Sequence, residues 1–509
     1  MSAQSFLIDT NVIIGLEDDH AVKPVFASLL STAAKHKVDV LVHEAARDDI
    51  ARDKNEARRK VSLSKLDKFQ ILRKVRGLDQ AQLEHQFGAL KKHNDVVDAT
   101  LLDALVRGAA DILVTEDRGL HERARKHSPQ LDRRVVFVAD AVQLLVTTYE
   151  PVDAPVKYVD EVSANEIPLD DAIFDSLREG YPGFDDWWRL KCVGKRRPCW
   201  IVDDAGVMSA LVVRKDETGS DTDATQKLSK ILKICTFKVR PEKRGVKIGE
   251  LLLRKIFWFA QANGYDLVYI TTFVDQSALI DLLQYYGFQH TATKDDGELI
   301  YEKRFSRSKL EPIPGVPDYE VCRLNYPRFI AAASTEAFGV PIQEDYHDTL
   351  YPDLKAIDPQ PDLFEAQAAK RPGNTIRKVY LCRAKSNLGE PGSLLFFYKG
   401  RSKSAPSQAF TAIGVFEECS LAKSTNDLMR LTGGRSVYSE SELAAWNASP
   451  QRPVKVINYL LAVYVDPPLV LVELKNLGIV GDHPPQSIFR IKPERLPDLL
   501  SSVNLGFEI

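Results

Sequence analysis

The sequence predicts an α/β multidomain protein. Its 509 residues are enough for two to four domains. Residues 1–148 alternate short apolar runs with stretches of helical length, which predicts a mostly parallel sheet between helices. A stretch that contains proline, YEPVDAPVKYVDEV, then leads to a middle segment, and a second, SRSKLEPIPGVPDYE, follows it. The last segment is rich in strand-like runs. We expect domains at 1–148, 158–305 and 375–509, with a linker and partly helical region at 306–374.

The bulk composition is that of an ordinary folded protein, with 44% hydrophobic and 27% charged residues. A net charge of -3 excludes a general polycation, so any contact with nucleic acid needs local basic patches. The six cysteines have neither CxxC nor zinc-ligand spacing, which indicates reduced thiols in a cytoplasmic protein. No signal peptide is evident, and no apolar run approaches the ~18 residues of a membrane span.

Two apolar runs in the first segment are followed by carboxylates. Asp9 lies in FLIDTNVII, directly after the first three apolar residues, and Asp117 closely follows DILV. Each run predicts a buried strand, and the carboxyl ends of parallel strands face one crevice. Carboxylates that converge there repel one another unless a hard cation neutralises them, and Mg²⁺ or Mn²⁺ suits oxygen ligands. Either aspartate alone could simply end a strand, so the inference depends on the whole set.

The stretches FLIDTNVII, HEAARDDI and DATLLDALVRGAADILVTEDRGL resemble the PIN-domain nucleases. That family includes the toxin ribonucleases of bacterial toxin–antitoxin pairs. The resemblance implies an α/β/α parallel sheet and four catalytic residues that hold one or two Mg²⁺ or Mn²⁺ ions, namely Asp9, Glu44, Asp98 and Asp117. It also implies three polar residues that orient those carboxylates, namely Thr10, Asn11 and Thr115.

A basic stretch in the same segment predicts an RNA-binding helix. Between Arg47 and Arg76 there are eleven Lys or Arg and five Asp or Glu, and apolar residues recur near helical spacing up to Leu72. A basic helix beside a metal cleft suits a polyphosphate backbone. The residues that we expect to contact RNA are Arg58, Arg59, Lys60, Lys65 and Lys68. The alternative is a solvated helix face, because charge runs are common.

The middle stretch CTFKVRPEKRGVKIGELLLRKIFWFAQANGYDLVYITTF predicts a strand, a turn with glycine, a helix and a strand. The free N–H groups at a helix N-terminus bind phosphate or pyrophosphate. Together with LIDLLQYYGF, this stretch resembles the GNAT acetyltransferases, an α+β fold that uses acetyl-CoA. The resemblance implies cofactor-binding residues on the first strand, Phe237, Lys238 and Val239. It implies further ones in the pyrophosphate loop, Arg244, Gly245, Val246, Lys247, Ile248 and Gly249.

Two positions depart from the GNAT pattern. Lys247 stands where the family usually has glycine, so its side chain could crowd the phosphate or its charge could help to bind it. Leu283 stands where many members have a tyrosine that acts as general acid, while Tyr285 and Tyr286 come two and three residues later. Acetyltransferase activity therefore stays open beside a scaffold or a ligand sensor. The polar insert DETGSDTDATQKLS, within the same segment, predicts a mobile loop.

The last segment contains EPGSLLFFYKG, AFTAIGVFEEC and INYLLAVYV, and resembles the ASCH and EVE domains of the PUA superfamily. These are small β-barrels that bind RNA or modified bases. The resemblance implies a base stacked on aromatic rings, with basic side chains on phosphates. The residues in question are Phe397, Tyr398, Lys399, Arg401 and Tyr438. The alternative is that the aromatic side chains fill the barrel core.

Three functional hypotheses follow. The first is a metal-dependent ribonuclease of the toxin or defence type, with an acetyl-CoA-binding domain and a barrel that reads RNA. RNA would then be its partner, together with an antitoxin or another regulatory protein. The second is an N-acetyltransferase that acts on an RNA-linked or protein amine and has a non-catalytic PIN domain. The third is a non-catalytic RNA-binding adaptor.

Overall fold

The computed structural model describes residues 4–15, 24–52, 56–66, 68–72, 78–149, 159–204, 206–240, 247–354, 375–402, 406–432, 438 and 440–509. The chain is a mixed α/β protein with three sheets. It divides into two compact units, Met1–Val152 with Leu421–Val456, and Asp153–Ser420 with Ile457–Ile509. None of the helices in the described ranges has the length and apolar character that a membrane crossing requires.

The sheet of the first unit has five parallel strands: β1 Ser5–Ile8, β2 Asp39–His43, β3 Gln70–Leu72, β4 Ile112–Val114 and β5 Val135–Val136. Their order is β3-β2-β1-β4-β5. In β1, Ile8 pairs with Val42 on one side and with Val114 on the other. The residues that follow β1, β2 and β4 therefore lie along one edge of the sheet.

Helices cover both faces of this sheet: α1 Thr10–Gly15, α2 Pro24–Lys35, α3 Ala45–Ala51, α4 Glu56–Leu66, α5 Gln80–Phe87, α6 His93–Val106, α7 Arg118–His127, α8 Pro129–Asp132 and α9 Val138–Tyr149. Successive side chains of a strand point to opposite faces. Phe6 and Ile8 accordingly pack in one core, and Leu7 packs in the other. The short apolar run of β1 is thus buried on both sides, as the parallel arrangement requires.

The basic stretch is not one helix. Helix α4 ends at Leu66, and Gln70–Leu72 forms β3 at the edge of the sheet, where Leu72 pairs with His43. The expected helical spacing up to Leu72 was wrong because Ile71 packs against the core from a strand. A three-residue strand is too short to show a period of its own in the sequence.

The second unit contains a seven-stranded sheet: β6 Asp160–Ser163, β7 Pro198–Asp204, β8 Val207–Glu217, β9 Ile231–Val239, β10 Leu267–Thr272, β11 Gln289–Thr293 and β12 Leu299–Arg304. The order is β11-β12-β10-β9-β8-β7-β6. All neighbours are antiparallel except β9 and β10. The associated helices are α10 Asp175–Gly180, α11 Phe184–Trp187, a π-helix at Trp188–Val193, α12 Ile248–Ala262 and α13 Ser277–Tyr285. Helix α12 connects the two parallel strands, in the order that the sequence predicted.

The polar insert between β8 and β9 is held in place by side-chain contacts. Thr225 donates a 2.9 Å hydrogen bond from Oγ1 to Oε2 of the buried Glu302. The carboxylate of Asp223 lies 2.5 Å from Nζ of Lys233, and Ala224 is buried. The expectation of a mobile loop was wrong, because these polar side chains find partners on neighbouring strands that the sequence does not reveal.

The third sheet, which belongs to the second unit except for the last two residues of β16 and the first three of β17, has six strands: β13 Ala337–Ile342, β14 Arg377–Cys382, β15 Leu394–Lys399, β16 Ala409–Ala422, β17 Val454–Val470 and β18 Phe489–Ile491. Their order is β14-β17-β16-β15-β13-β18. The second unit also has helices α14 Asp318–Leu324, α15 Glu344–Leu350, α18 Leu471–Asn476 and α19 Leu496–Ser501, whereas α16 Thr425–Thr432 and α17 Glu440–Ala445 belong to the first unit. Strand β13 lies inside the region expected to be linker and helix, and it pairs with β15.

One hydrophobic core runs through the two sheets of the second unit. Phe257 of α12 and Tyr286 belong to the same cluster as Phe396 of β15 and Phe410 of β16. Residues on both sides of position 306 therefore bury their apolar surface together. The predicted boundary between a middle and a C-terminal domain does not separate two cores.

Candidate functional site

The residue after β1 is fixed by three hydrogen bonds. Oδ2 of Asp9 accepts from Oγ1 of Thr115 at 2.6 Å and from Nδ2 of Asn11 at 2.7 Å, and Oδ1 accepts from the backbone N–H of Thr10 at 2.6 Å. Oγ1 of Thr115 also accepts from the backbone N–H of Asp117 at 3.0 Å. The three residues predicted to orient the carboxylates thus all contact Asp9, although Thr10 does so through its main chain.

Asp98 on α6 and Asp117 at the start of α7 complete a cluster of three carboxylates. Burial, together with the negative charges of Asp9 and Asp117, raises the pKa of Asp98 to about 8, against the opposing charge of Arg123. Burial also raises the pKa of Asp9 to about 6, although its hydrogen bonds to Thr115 and Thr10 act in the opposite direction. Asp117 caps α7, because its Oδ1 accepts from the N–H of Leu120 at 3.1 Å.

Glu44, the fourth predicted acid, follows β2 at the same edge of the sheet. It is not among the charges that act most strongly on Asp9 or Asp98. Asp49 of α3 acts on Asp9 instead, and its charge raises the pKa of that carboxyl. Asp49 was not among the predicted ligands. The stretch HEAARDDI does place it on the helix that begins after Glu44, so its position along the chain could have identified it.

The donor chemistry of this cluster suits a hard divalent cation, since every group offers carboxylate oxygen. Asp98 lies on α6 and is half-buried. Within the described ranges, however, no three His, Cys, Asp or Glu side chains are grouped so that they could hold a metal ion. The donors therefore fit in kind, while their positions in this structure do not form a complete three-ligand site.

Of the five basic residues predicted to contact RNA in this unit, three have side chains that the structure describes. Lys60 and Lys68 are exposed, and Arg59 is half-buried. The side chains of Arg58 and Lys65 lie outside the described part of the chain. The exposed lysines can reach solvent, which a contact with a phosphate backbone requires.

A second candidate site lies where β9 and β10 part. The two strands pair only from Ile231 to Ile234 and from Leu267 to Ile270. From Thr236 to Val239, β9 is paired with β8. The predicted residues Phe237, Lys238 and Val239 therefore lie just beyond the point where β9 and β10 part.

The helix that follows this strand begins in an uncommon backbone conformation. Lys247 precedes α12 with a φ of 57°, in the left-handed region that favours glycine. Ile248 and Gly249 form the first turn, and a Cβ at Gly249 would lie 3.5 Å from Cδ2 of Leu282. Arg244, Gly245 and Val246 lie outside the described residues. The conformation of Lys247 gives a physical reason for the glycine that GNAT proteins usually have there.

The usual tyrosine of the GNAT site has no direct substitute on α13. Leu283 and Tyr286 are buried, and the ring of Tyr285 lies between Arg323 at 4.3 Å and Arg377 at 5.2 Å. Tyr181, which the sequence pattern does not single out, is another tyrosine near these strands. Its ring packs at a tilt against that of Phe273, directly after β10, with centroids 5.3 Å apart. Burial raises the pKa of Tyr181, and the neighbouring Glu298 adds to this effect.

The residues predicted to read RNA from the third sheet are mostly buried. Phe397, Tyr398 and Lys399 lie in the interior of β15, and Tyr438 is buried as well. Phe397 packs on Tyr459 with ring centroids 4.5 Å apart. The aromatic side chains therefore fill the interior, which corrects the expectation of a stacking surface. Arg401, by contrast, is exposed.

A buried hydrogen-bond network supports the same sheet. Nε2 of His347 lies 2.7 Å from Oγ1 of Thr411, and its Nδ1 lies 2.9 Å from Oδ1 of Asp348. Nζ of Lys399 lies 2.8 Å from the same Asp348 oxygen. Burial lowers the pKa of His347, although Asp348 opposes this effect. The lysine predicted to contact phosphate is thus paired with a carboxylate in the interior.

Comparison with known proteins finds no family model and no curated protein that matches this chain. Solved structures match parts of it. ASCH from Zymomonas mobilis has 14% identity over 33% of this chain and 96% of its own, with a TM-score of 0.25. An N-acetyltransferase from Staphylococcus aureus Mu50 has 14% identity over 29% and 98%, with a TM-score of 0.23. PaiA N-acetyltransferase from Thermoplasma acidophilum, in complex with coenzyme A, has 12% identity over 29% and 99%, with a TM-score of 0.23. Parts of the chain are thus similar to ASCH and GNAT structures, at scores that say nothing about activity.

Proposed function

We propose that the protein is a metal-dependent ribonuclease that acts at the carboxyl edge of its parallel sheet. The observation that carries this proposal is that Thr115 joins Asp9 and Asp117 at the edge where β1 and β4 end, and their charges help to raise the pKa of Asp98. Mg²⁺ or Mn²⁺ bound to them would supply an activated water and neutralise charge at the scissile phosphate. Thr115 and Asn11 hold the Asp9 carboxylate in one orientation. Asp98, with a pKa of about 8, would lose its proton on binding such a cation.

The basic surface supports RNA rather than a small phosphate ester as the substrate. Residues 47–76 contain six more basic than acidic side chains, and Lys60 and Lys68 among them are exposed. A polyanion gains from several such contacts at once, whereas a monoester can use only one or two. In this proposal the three carboxylates carry out hydrolysis, and the lysines provide affinity for the RNA backbone.

RNA cleavage with defined variants tests the proposal. Purified protein is incubated with total RNA in Mn²⁺, in Mg²⁺ and in a chelator, and the cut ends are mapped. Asp9→Asn and Asp117→Asn should abolish metal-stimulated cleavage, while Glu122→Gln, an exposed change on α7, should leave it intact. Cleavage that persists in Asp9→Asn would show that the activity comes from elsewhere or from a contaminant.

A second candidate function is acyl-CoA binding by the second unit. The observation that favours it is that β9 and β10 pair only as far as Ile234 and Ile270, with helix α12 connecting the two strands. Acetyl-CoA would supply the acyl group for an RNA-linked or protein amine. The end of β9 would lie along the pantetheine arm, and the helix N–H groups would bind the pyrophosphate. Leu283 leaves the proton donor of this reaction unassigned, so binding is the part that we propose.

Calorimetry with coenzyme A tests this second candidate. The full chain should release or absorb heat on titration, and Gly249→Trp should remove the signal because it places a large side chain beside Leu282. Gly249→Ala is the matched control, since its Cβ would make only an ordinary contact. No signal with the unmodified protein would mean that the second unit is a scaffold.

The proposal also includes RNA binding by the third sheet and a protein partner. RNA selection by this sheet would now depend on Arg401, which is exposed, rather than on the buried aromatic side chains. Arg401→Glu should weaken RNA binding in a filter assay, and equal affinity would remove the sheet from RNA recognition. An antitoxin or another regulatory protein is the expected partner of a ribonuclease of this kind, and co-purification from the native host would identify it.

A further inference from the structure

Basic side chains project from the π-helix of the second unit and from the turn that follows it. The stretch FDDWWRLKCVGKRR, residues 184–197, contains five Lys or Arg and two Asp. The whole chain has slightly more acidic than basic residues, so this local excess of three positive charges does not follow from the composition. Four of the cations are exposed, and we call them the π-helix patch: Arg189, Lys191, Lys195 and Arg196.

The π-helix patch is poorly neutralised by its surroundings. The carboxylate of Asp186 lies 3.6 Å from Nη1 of Arg189, in a pair of exposed side chains that contributes little attraction. Asp185 is already paired with Arg178 at 2.9 Å. The other three members of the patch form neither a hydrogen bond nor an ion pair with any side chain in the described part of the chain. Three positive charges therefore face solvent without a counter-charge.

The backbone beneath the patch is held in one conformation. Trp188 and Cys192 are fully buried and anchor the inner side of the π-helix in a hydrophobic cluster. A Cβ at Gly194 would lie only 2.9 Å from the carbonyl oxygen of Leu190, so the turn after the helix is closely packed. Arg196 has a φ of 47°, in the left-handed region that side chains rarely adopt. Cations on such a backbone lose less freedom when they bind a ligand. A π-helix is also rare, and is frequently found at functional sites.

An aromatic ring lies beside these cations. Trp187 is half-buried, and the guanidinium of Arg197 lies 5.7 Å from the centroid of its ring. Nη1 of Arg197 also donates to Sγ of Cys235 at 3.3 Å, which helps to fix the guanidinium. Aromatic rings and guanidinium planes are the groups on which unpaired bases stack, while lysine and arginine contact the phosphates between them.

We propose that the π-helix patch binds single-stranded RNA, with phosphates on the exposed cations and a base on Trp187. A duplex keeps its bases stacked inside and would use only the cations. A membrane surface requires a broad apolar face, whereas Leu190 is the one exposed apolar side chain of residues 184–197. The patch lies in the second unit and includes none of the carboxylates discussed above. Only the choice of RNA over DNA rests on the proposed ribonuclease.

Fluorescence anisotropy of the full chain with a labelled single-stranded RNA oligomer tests this proposal. The titration is done in a chelator, so that metal-dependent cleavage cannot interfere. The triple variant Lys191→Gln, Lys195→Gln, Arg196→Gln should bind about tenfold more weakly. The slope of log K against log salt concentration should become shallower by about two, because each contact with a single strand contributes about 0.7. A matched triple variant removes three other exposed cations of the same unit and should stay within about twofold of the unmodified protein: Lys475→Gln, Lys492→Gln and Arg495→Gln.

Trp187→Leu tests the base contact separately. Leucine keeps an apolar side chain against Phe184 but removes the ring, so affinity for the single strand should fall about fivefold with an unchanged salt slope. An RNA duplex should bind more weakly than the single strand and should not respond to this change. A duplex that binds as tightly as the single strand would contradict the proposed mode.

Other outcomes would also refute the proposal. Equal affinity in the unmodified protein and in the triple variant of the patch would exclude the patch, and equal weakening in both triple variants would reduce the effect to overall charge. Tighter binding of a matched DNA oligomer would exclude RNA as the ligand. Vesicles containing phosphatidylserine that bind only when the patch is intact, with unchanged RNA affinity, would assign it to a membrane surface. If circular dichroism shows that the triple variant is unfolded, Lys191→Gln alone should make the salt slope shallower by about 0.7.

The proposed ribonuclease has a different readout. Normal RNA binding in the chelator without any cleavage in Mn²⁺ would overturn the ribonuclease and leave the π-helix patch standing. Cleavage in Mn²⁺ together with unchanged binding by the triple variant would have the opposite meaning.

Discussion

Oγ1 of Thr115 donates a hydrogen bond of 2.6 Å to Oδ2 of Asp9, and so joins the residue after β4 to the residue after β1. The bond lies at the edge where neighbouring parallel strands end, and it involves a buried carboxylate whose pKa is already raised to about 6. It is the contact that most lowers the pKa of Asp9, against the effect of burial. The orientation of the Asp9 carboxylate therefore depends on the neutral hydroxyl group of Thr115.

Thr115→Val should raise the pKa of Asp9 and lower the free energy of unfolding. The variant keeps the shape of threonine but removes the donor, so the pKa of Asp9 should rise above its value of about 6. Loss of a buried, charge-assisted hydrogen bond should lower the free energy of unfolding by about 1–3 kcal/mol. Denaturant unfolding measures this loss, and Thr115→Ser should restore most of the stability. Equal stability in the valine variant would mean that Asn11 alone satisfies Oδ2.

Asp98→Asn should stabilise the metal-free protein at pH 8. The folded pKa of about 8 lies above the ordinary value of 3.8. The contribution of this group to stability is therefore complete below about pH 4 and is lost as the pH rises towards 8. An amide carries no such charge, so thermal unfolding at pH 8 should show a gain of more than about 1 kcal/mol.

Binding of a metal ion should reverse the relative stabilities of the unmodified protein and Asp98→Asn. Mn²⁺ should raise the melting temperature of the unmodified protein at pH 8, because a cation stabilises the ionised cluster. It should raise that of Asp98→Asn much less. Glu122→Gln, on the exposed side of α7, should behave like the unmodified protein in both buffers. A similar response of all three proteins to Mn²⁺ would argue against binding at this cluster.

Lys247→Gly should raise stability and lower the affinity for coenzyme A. A φ of 57° costs a side chain about 1 kcal/mol relative to glycine, which gives an upper limit for the gain. Loss of the ammonium group should weaken binding about fivefold, which corresponds to ~1 kcal/mol. Unfolding curves and calorimetry measure the two effects. Lys247→Asn tolerates the same backbone conformation and should also bind weakly, whereas tighter binding in both variants would mean that lysine crowds the phosphate.

His347 should make the second unit sensitive to acid. Its folded pKa lies below the ordinary value of 6.5, because burial disfavours the charged ring. The stability that it contributes is present above pH 6.5 and is lost as the pH falls below that value. Unfolding between pH 5 and pH 7.5 should therefore show a smaller pH dependence in His347→Gln than in the unmodified protein. His290→Gln, an exposed change in the same unit, should keep the original slope.

Local pattern predicted the features that depend on neighbours in the chain. The apolar run before Asp9 gave a strand of the parallel sheet, and the stretch around α12 gave the order strand, helix, strand. The pattern could not predict β3, which has three residues, or β13, which contains the poor strand formers Gly339 and Pro341. It also did not distinguish stacking aromatics from core aromatics at Phe397, since burial is a property of the folded chain.

The sequence by itself determined that this chain has an acid at the end of each of two buried strands and a basic stretch between them. Short-range periodicity and residue chemistry are sufficient for such features. The tertiary structure decided which acids act on one another, that Asp49 joins them, and that the two C-terminal segments share one core. These are contacts between residues far apart in the chain. Their free energy depends on distance and on exclusion of water, neither of which is written in the local pattern.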